Sequence, residues 1–197
     1  MDMPKFLQHL TLDMEKGPWI AGGAARRLYH GLPMVNADWD IFCSSQKQYD
    51  RLVRLCKQYE WQKHSYKTSF EALNGIYISA DNPIESRYAT TYKEDDHKIQ
   101  FIHKRFYDTV EDVLNDFDFT VCRYATDGVV FKVGNFAIED HQNKRLRYTK
   151  RDINPLLVGR IVKYRSYGFY LDENLSKLIR DNLDVITYEL DMATYDF

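Results

Sequence analysis

Cysteine, net charge and long apolar runs are all scarce in this sequence, and each shortage closes off a class of protein. The three cysteines, Cys43, Cys56 and Cys122, are widely spaced and odd in number, and no CxxC pair or histidine cluster accompanies them. A disulfide framework and a zinc site are therefore not expected, and a reducing compartment fits best. No stretch approaches the ~20 apolar residues of a membrane helix. The start, Met1-Asp2-Met3-Pro4-Lys5, lacks the basic opening and apolar run of a signal peptide, so the expectation is a soluble cytoplasmic protein without a membrane partner. A formal net charge of -2 gives no overall field for nucleic acid, and any RNA contact must come from a local patch. What the chain does have is 197 residues that are 44% hydrophobic, with 15 Tyr and 11 Phe. That suits one domain with a sizeable appendage, or two small units, around a packed core. Its oligomeric state is not readable.

The spacing of Phe6, Leu7, Leu10 and Met14 predicts a short opening helix stopped by Gly17-Pro18. Trp19 to Ala21 reads as a buried strand, Gly22-Gly23 as a turn, and Ala24 to Tyr29 as a helix ending at His30-Gly31. Ala37 to Cys43 reads as a strand that alternates Asp38 and Asp40 with Trp39 and Ile41. Ser44-Ser45 caps a helix with Tyr49, Leu52, Val53 and Cys56 on one face. From Trp61 to His103 the pattern is one of antiparallel strands, with turns at Asn74-Gly75, Asp81-Asn82-Pro83 and Glu94-Asp95-Asp96. Thr109 and Asp112 resemble a capping box that starts a helix through Val113 and Leu114. A strand Phe119 to Tyr124 and a second, Val129 to Val133, are predicted to join through Asp127-Gly128. Beyond Asn135 the apolar stripes are helical: Leu156, Leu157, Ile161, Val162 and Tyr164, then Leu175, Leu178, Ile179, Leu183 and Ile186.

Charge divides this C-terminal extension. Gln142 to Arg165 carries Lys144, Arg145, Arg147, Lys150, Arg151, Arg160, Lys163 and Arg165 against one acid, Asp152. Ser166 to Phe197 is acidic. The basic half suits a phosphate backbone, and equally a solvated helix face balanced by the tail.

Chemistry concentrates earlier. Residues i and i+2 of a strand share a face ~7 Å apart, so Asp38 and Asp40 project together. Paired hard oxygen donors hold Mg²⁺, and two ions ~3.5 to 4 Å apart serve in-line displacement at phosphorus; two solvated acids on an edge strand are the plainer alternative. The glycines ahead of them let backbone N–H groups approach a triphosphate, and Arg26 lies one turn further on to meet a phosphate oxygen. The remaining polar residues have plainer readings: His97 and His103 as ordinary histidines, Tyr88, Tyr92 and Tyr107 as packing groups, Ser44 and Ser45 as caps, and Glu94, Asp95 and Asp96 as a solvated turn.

Trp19-Ile-Ala-Gly-Gly-Ala-Ala-Arg-Arg-Leu28, Gly31 and Asp38-Trp-Asp-Ile-Phe42 together resemble the GGxxR … DxD signature of the DNA polymerase β-like nucleotidyltransferases. Within that superfamily the chain is most similar to the bacterial-type tRNA CCA-adding enzymes and poly(A) polymerases. Asp118-Phe-Thr120, with Ala125 and Asp127-Gly128, resembles their RDFT segment. Asn154-Pro-Leu-Leu157, Arg160, Lys163-Tyr164 and Gly168-Phe169 are similar to their neck helix. The resemblance covers about residues 18 to 170 in order. It implies an α+β fold, with a mixed-sheet head over 1–140 and a helical neck over 141–197. It further implies a site with Asp38 and Asp40 as catalytic metal ligands for two Mg²⁺ ions, and with Gly22, Gly23, Arg26, Asp118, Arg160 and Lys163 on an NTP. Asp118 would meet the ribose.

The departures shape the expectation as much as the matches. Asp116 and Phe117 stand where the family has paired arginines, and Asn154 and Leu157 stand near its base-reading side chains, so the CCA template is not carried over. Gln100 replaces a third carboxylate on Lys98-Ile-Gln-Phe-Ile102. The expected activity is a Mg²⁺-dependent transfer of NMP from an NTP such as ATP to a hydroxyl, of a tRNA-like RNA 3′ end through Lys144–Arg165 or of another acceptor. The alternative is a catalytically weakened nucleotide- or RNA-binding module, or a partner subunit of the same fold.

Overall fold

In a computed structural model of the chain, residues 3–62, 71–73, 76–78, 84–86, 88–94, 97–153 and 156–182 are described. Their contacts gather into two compact units, the first from residues 1–116 and 124–133, the second from 117–123 and 134 onward.

The first unit is built on a sheet. It opens with α1 (Lys5–Gln8), then β1 (Trp19–Ala21), α2 (Gly23–Tyr29), β2 (Asp38–Phe42) and α3 (Gln46–Gln62). The short strands β3 (Glu71–Leu73) and β4 (Ile76–Ile78) pair with each other, and β5 (Ile84–Glu85), β6 (Ala89–Glu94), β7 (His97–Ile102), α4 (Val110–Asp116), β8 (Tyr124–Thr126) and β9 (Phe131–Val133) follow. Seven strands form one sheet in the order β5-β6-β7-β2-β1-β8-β9. Every neighbouring pair is antiparallel except β2 and β7, which run parallel. The sheet is therefore mixed, as expected.

Burial follows the period-2 alternation read from the sequence. Trp39 and Ile41 are fully buried with Ile99 and Phe101 beside them in register, while Asp38 and Asp40 are half-buried on the opposite face. The α3 helix presents Leu52 and Cys56 to the core, and the Tyr49 hydroxyl lies 2.6 Å from Thr90 Oγ1. Ser45 Oγ accepts the Gln48 N–H at 3.2 Å, the expected cap. At α4 the capping box is complete: Asp112 N–H donates to Thr109 Oγ1 at 3.2 Å, and Thr109 N–H donates back to Asp112 Oδ2 at 3.2 Å.

Three local expectations are corrected. The opening helix is a single turn that ends at the His9 cap, and the chain bends again where Asp13 Oδ1 accepts the Glu15 and Lys16 amides ahead of Gly17, which precedes a cis Pro18. The loop between β8 and β9 spans 127–130, because Asp127 Oδ1 accepts from Val129 and Val130 N–H and Thr126 Oγ1 donates to the Val130 carbonyl. Glu94 is not a solvated turn residue: it is buried, and its Oε2 accepts the Phe6 N–H at 3.1 Å. The turns expected at 74–75, 81–83 and 95–96 lie outside the described residues.

The second unit has its own core of Phe119, Val121, Cys122, Leu146, Leu157, Tyr164, Phe169 and Leu175. Its elements are a 3-10 turn (Thr120–Cys122), α5 (Ala137–Gln142), β10 (Arg145–Leu146), α6 (Leu157–Ser166), β11 (Tyr170–Leu171) and α7 (Glu173–Asp181), with β10 and β11 paired in parallel. The strand expected over 119–124 is thus interrupted. Thr120 Oγ1 donates to the fully buried Asp140 at 2.6 Å, and Arg123 N–H closes on the Thr120 carbonyl, which winds the segment into a turn. Because α5 packs on that turn, residues 134–140, read as the end of the head, fall within the second unit. Leu156 and Val162 are exposed and not part of the α6 stripe. Leu183 and Ile186 lie outside the described residues. No helix among the described residues is long and apolar enough to cross a membrane.

Candidate functional site

The acid pair sits at the centre of the sheet. β1 pairs antiparallel with β2 so that Ala21 lies opposite Asp40. The chain leaves β1 one residue later, so the Gly22-Gly23 turn departs beside the acids, about one strand spacing of ~4.8 Å away. Gly22 has φ 82° and ψ -135°, a conformation open to glycine, and its N–H is held by the Tyr124 carbonyl at 2.9 Å. Gly23 begins α2, and no side chain caps the helix start. A Cβ built on Gly23 would meet no atom within 4 Å. The turn therefore has open space above Gly23 and a steric requirement for glycine only at Gly22.

Arg26 lies one turn into α2 and is only 5% exposed, so its guanidinium is held inside the unit rather than on its surface. On β7, Gln100 is in register with Asp40 and Lys98 with Asp38. Gln100 Nε2 donates to Thr91 Oγ1 at 3.2 Å, and Lys98 Nζ stands 3.9 Å from Asp38 Oδ1, both groups partly exposed. Lys98 is a site neighbour that the reading of Gln100 alone overlooked. Its signal was present, since Lys98 and Gln100 are two apart on one strand and share a face.

The donor set has a definite chemistry. Two carboxylates at i and i+2 offer hard oxygen ligands, and such donors fit Mg²⁺. Among the described residues, no group of three or more His, Cys, Asp or Glu side chains gathers as a richer metal cage would. The plainer readings of other groups agree with their positions. Trp39 Nε1 donates to His97 Nδ1 at 3.3 Å, Tyr92 is buried, and the Tyr107 hydroxyl donates to Asp116 Oδ2 at 2.7 Å. Asp116, standing where the family has an arginine, is thus occupied by Tyr107, and Arg105 lies 3.8 Å from it. Tyr88 is exposed under Lys104.

The second unit carries the other expected residues. Asp118 is buried and its Oδ2 accepts from Arg160 Nη1. Burial works against the Arg160 cation, but the Asp118 carboxylate together with Cys122 and Tyr164 more than offsets it, so the guanidinium pKa moves up. Asp118 Oδ1 is buried without a hydrogen-bond partner among the described residues. The carbonyls of Asp118 and Arg147 accept the Thr149 and Thr120 amides, which fixes the backbone on which the Asp118 carboxylate is mounted. Lys163 is exposed one turn beyond Arg160 on α6, and Leu157, near the family's base-reading position, is fully buried. Asn154 lies outside the described residues.

Part of the basic stretch is committed within the unit. Arg147 Nε lies 3.0 Å from Asp140 Oδ2, Arg145 Nη1 lies 3.2 Å from Glu139 Oε1, and Arg160 holds Asp118. Lys150, Arg151, Lys163 and Arg165 are exposed.

A family profile described as "Gabija anti-defense 2 family protein" matches residues 3–144, and the chain belongs to that family. The protein "Gabija anti-defense 2" of Bacillus phage SPbetaL7 is 29% identical over 151 residues, which is 74% of this chain and 32% of that protein. The chain thus spans about a third of the length of the curated relative it matches. Among solved structures, a CCA-adding enzyme in complex with ATP superposes with a TM-score of 0.53 at 14% identity, over 87% of this chain and 42% of that one. The CCA-adding enzyme of Bacillus stearothermophilus with CTP gives 0.52 at 16% identity, over 87% and 42%. That of Thermotoga maritima with tRNA gives 0.52 at 14% identity, over 84% and 37%. The likeness is one of fold: the α+β architecture of a nucleotidyltransferase head and neck.

Proposed function

We propose that this member of the Gabija anti-defense 2 family is a Mg²⁺-dependent nucleotidyltransferase, and that its transfer reaction serves the anti-defense role for which the phage relative is named. The observation that carries the reading is the register of β1 on β2, which starts the glycine turn at the level of Asp40 while Asp38 and Asp40 share one face. A phosphate-binding turn one strand away from paired carboxylates is the arrangement that nucleotidyl transfer needs.

In this proposal an acceptor hydroxyl oxygen attacks the α-phosphorus of an NTP. The new O–P bond forms as the bond to the β-phosphate oxygen breaks, pyrophosphate departs, and the hydroxyl proton passes to solvent. Asp38 and Asp40 would hold the divalent cation, which would supply Lewis-acid charge to the phosphate oxygens. Gly22 and Gly23 bring backbone N–H groups to the triphosphate, with Arg26 behind them as fixed positive charge. In the second unit, Asp118 Oδ1 is a buried acceptor without a hydrogen-bond partner among the described residues. Arg160 holds the other oxygen of that carboxylate. The exposed Lys150, Arg151, Lys163 and Arg165 suit a phosphate backbone, and an RNA 3′ hydroxyl is the acceptor we favour. The relevant compartment is the cytoplasm.

A specific observation favours a second reading. With Gln100 bonded to Thr91 where a third acid is expected, and with Lys98 beside Asp38, the chain also suits a nucleotide-binding module without turnover. Incubation with Mg²⁺ and each α-labelled NTP, with and without total RNA, separates the two. Transfer by the native protein and none by an Asp38→Asn, Asp40→Asn double variant is the expected result. Equal labelling by both proteins, or none across a broad acceptor panel, refutes the enzyme.

A further inference from the structure

Phe136 precedes α5 with φ 64° and ψ -4°, in the left-handed region, and 53% of the residue is exposed. Glycine or asparagine fits that backbone more readily than a bulky side chain does. The ring lies on Arg147, whose guanidinium carbon is 4.2 Å from the ring centroid. A cation–π contact at an exposed site typically returns less than the left-handed backbone costs, so the contact alone does not account for an aromatic here. The guanidinium is itself anchored. Its Nη2 donates to Asp140 Oδ1 at 3.1 Å and its Nε lies 3.0 Å from Oδ2, and Asp140 is fully buried.

A second cation–π pair in the same unit has the opposite order. Lys144 Nζ is 5.0 Å from the Phe169 centroid, but there the ring is buried and the exposed lysine covers it. At Phe136 the cation is tied to a buried acid and the ring is the exposed member. Among residues 134–140 only Ile138 adds another exposed apolar side chain, so the ring is not continued along the chain into a patch of the size a protein interface needs. Arg145 and Arg147 are balanced by Glu139 and Asp140, so attraction at this point does not come from net charge. A flat ring backed by a fixed guanidinium suits a nucleobase.

We infer that Phe136, backed by Arg147, is a stacking platform for one base of single-stranded RNA. The inference deepens the proposed reaction by naming how its acceptor is held, and it rests on the choice of RNA as that acceptor. Stacking of this kind tolerates any base and requires the base to be unpaired.

Binding measured without NTP or Mg²⁺ keeps failure of the platform apart from failure of transfer. The full chain is titrated against fluorescein-labelled oligo(U) of about 12 nucleotides, alone and annealed to oligo(A). Phe136→Asn, which suits the left-handed backbone, is expected to keep the native Tm to within about 3 °C and to weaken single-strand binding about 5- to 150-fold. Its dependence of log affinity on log salt should stay native, because the ring carries no charge, and its affinity for the duplex should not change. Phe136→Trp is expected to hold unlabelled oligo(U) at least as tightly as the native chain, with its added indole fluorescence quenched on binding. Native single-strand affinity in Phe136→Asn overturns the inference and leaves the ring to a protein partner. Equal losses for single strand and duplex, or no quenching in Phe136→Trp, also overturn it. No single-strand binding by the native chain does the same, and NMP transfer to a hydroxyl outside RNA would then leave the proposed enzyme standing.

Discussion

Gly23→Ala separates folding from function at the glycine turn. Gly23 is the first residue of α2, and a methyl group there meets nothing within 4 Å. The substitution reduces the freedom of the unfolded chain without straining the fold, so it is expected to stabilise the protein by about 0.4 to 1 kcal/mol. In a chain of this length that is a rise in Tm of about 1 to 4 °C. The same methyl group occupies the open space through which a triphosphate must reach the turn. Loss of one charge-assisted N–H bond to phosphate costs about 1.5 to 3 kcal/mol, or roughly a 10- to 150-fold rise in Kd. Calorimetric titration with a non-hydrolysable NTP and Mg²⁺, alongside thermal unfolding, reads both effects. Gly22→Ala is the contrasting control, because its φ of 82° makes the fold itself pay about 1 to 3 kcal/mol. A Gly23→Ala protein with raised Tm and native nucleotide affinity would refute the phosphate cradle.

Other expectations follow from burial. Asp140 is fully buried and accepts from Thr120 Oγ1 at 2.6 Å and from Arg147 Nη2 at 3.1 Å, so Asp140→Ala is expected to lose about 3 to 5 kcal/mol in denaturant melts by stranding the Arg147 charge. A loss below 1 kcal/mol would show that the network is incidental. Thr120→Val combined with Asp140→Asn should show a coupling energy of about 1 kcal/mol or more in a double-mutant cycle, and strict additivity would contradict a direct bond. Burial pushes the Cys43 thiol up from its ordinary 9.0 to about 12. The unfolded thiol ionises first, so its contribution to stability is intact below pH 9 and is lost between pH 9 and about pH 12, at up to about 1.4 kcal/mol per pH unit. Cys43→Ala should flatten that slope, and an unchanged alkaline melt would count against the burial argument.

Features written in a few consecutive residues were legible in the sequence. The Thr109–Asp112 capping box, the alternation of Asp38 and Asp40 with Trp39 and Ile41, and the glycine turn ahead of them all depend on local spacing, and each stands where it was read. What escaped depends on partners far along the chain. The 3-10 turn at 120–122 is wound by a bond to Asp140, twenty residues on, which overrides the strand propensity of Phe119 to Tyr124. Glu94 is buried by an amide 88 residues away. Lys98 becomes a site residue only through the parallel register of β7 on β2, and nothing within either strand announces that pairing. The seven-strand order was hidden for the same reason.

The second unit takes residues 117–123 from a stretch of chain enclosed on both sides by the first, then resumes at 134. A single cut anywhere between Phe6 and Leu175 therefore removes part of at least one core, and a head expressed alone to residue 140 would carry the 3-10 turn and α5 without Leu146, Leu157, Tyr164 and Phe169, against which Phe119, Val121 and Cys122 are buried. Deletions that cut within those bounds will report folding where they are meant to report function. Point substitutions, or circular permutants that keep both segments, are the tools suited to dissecting it.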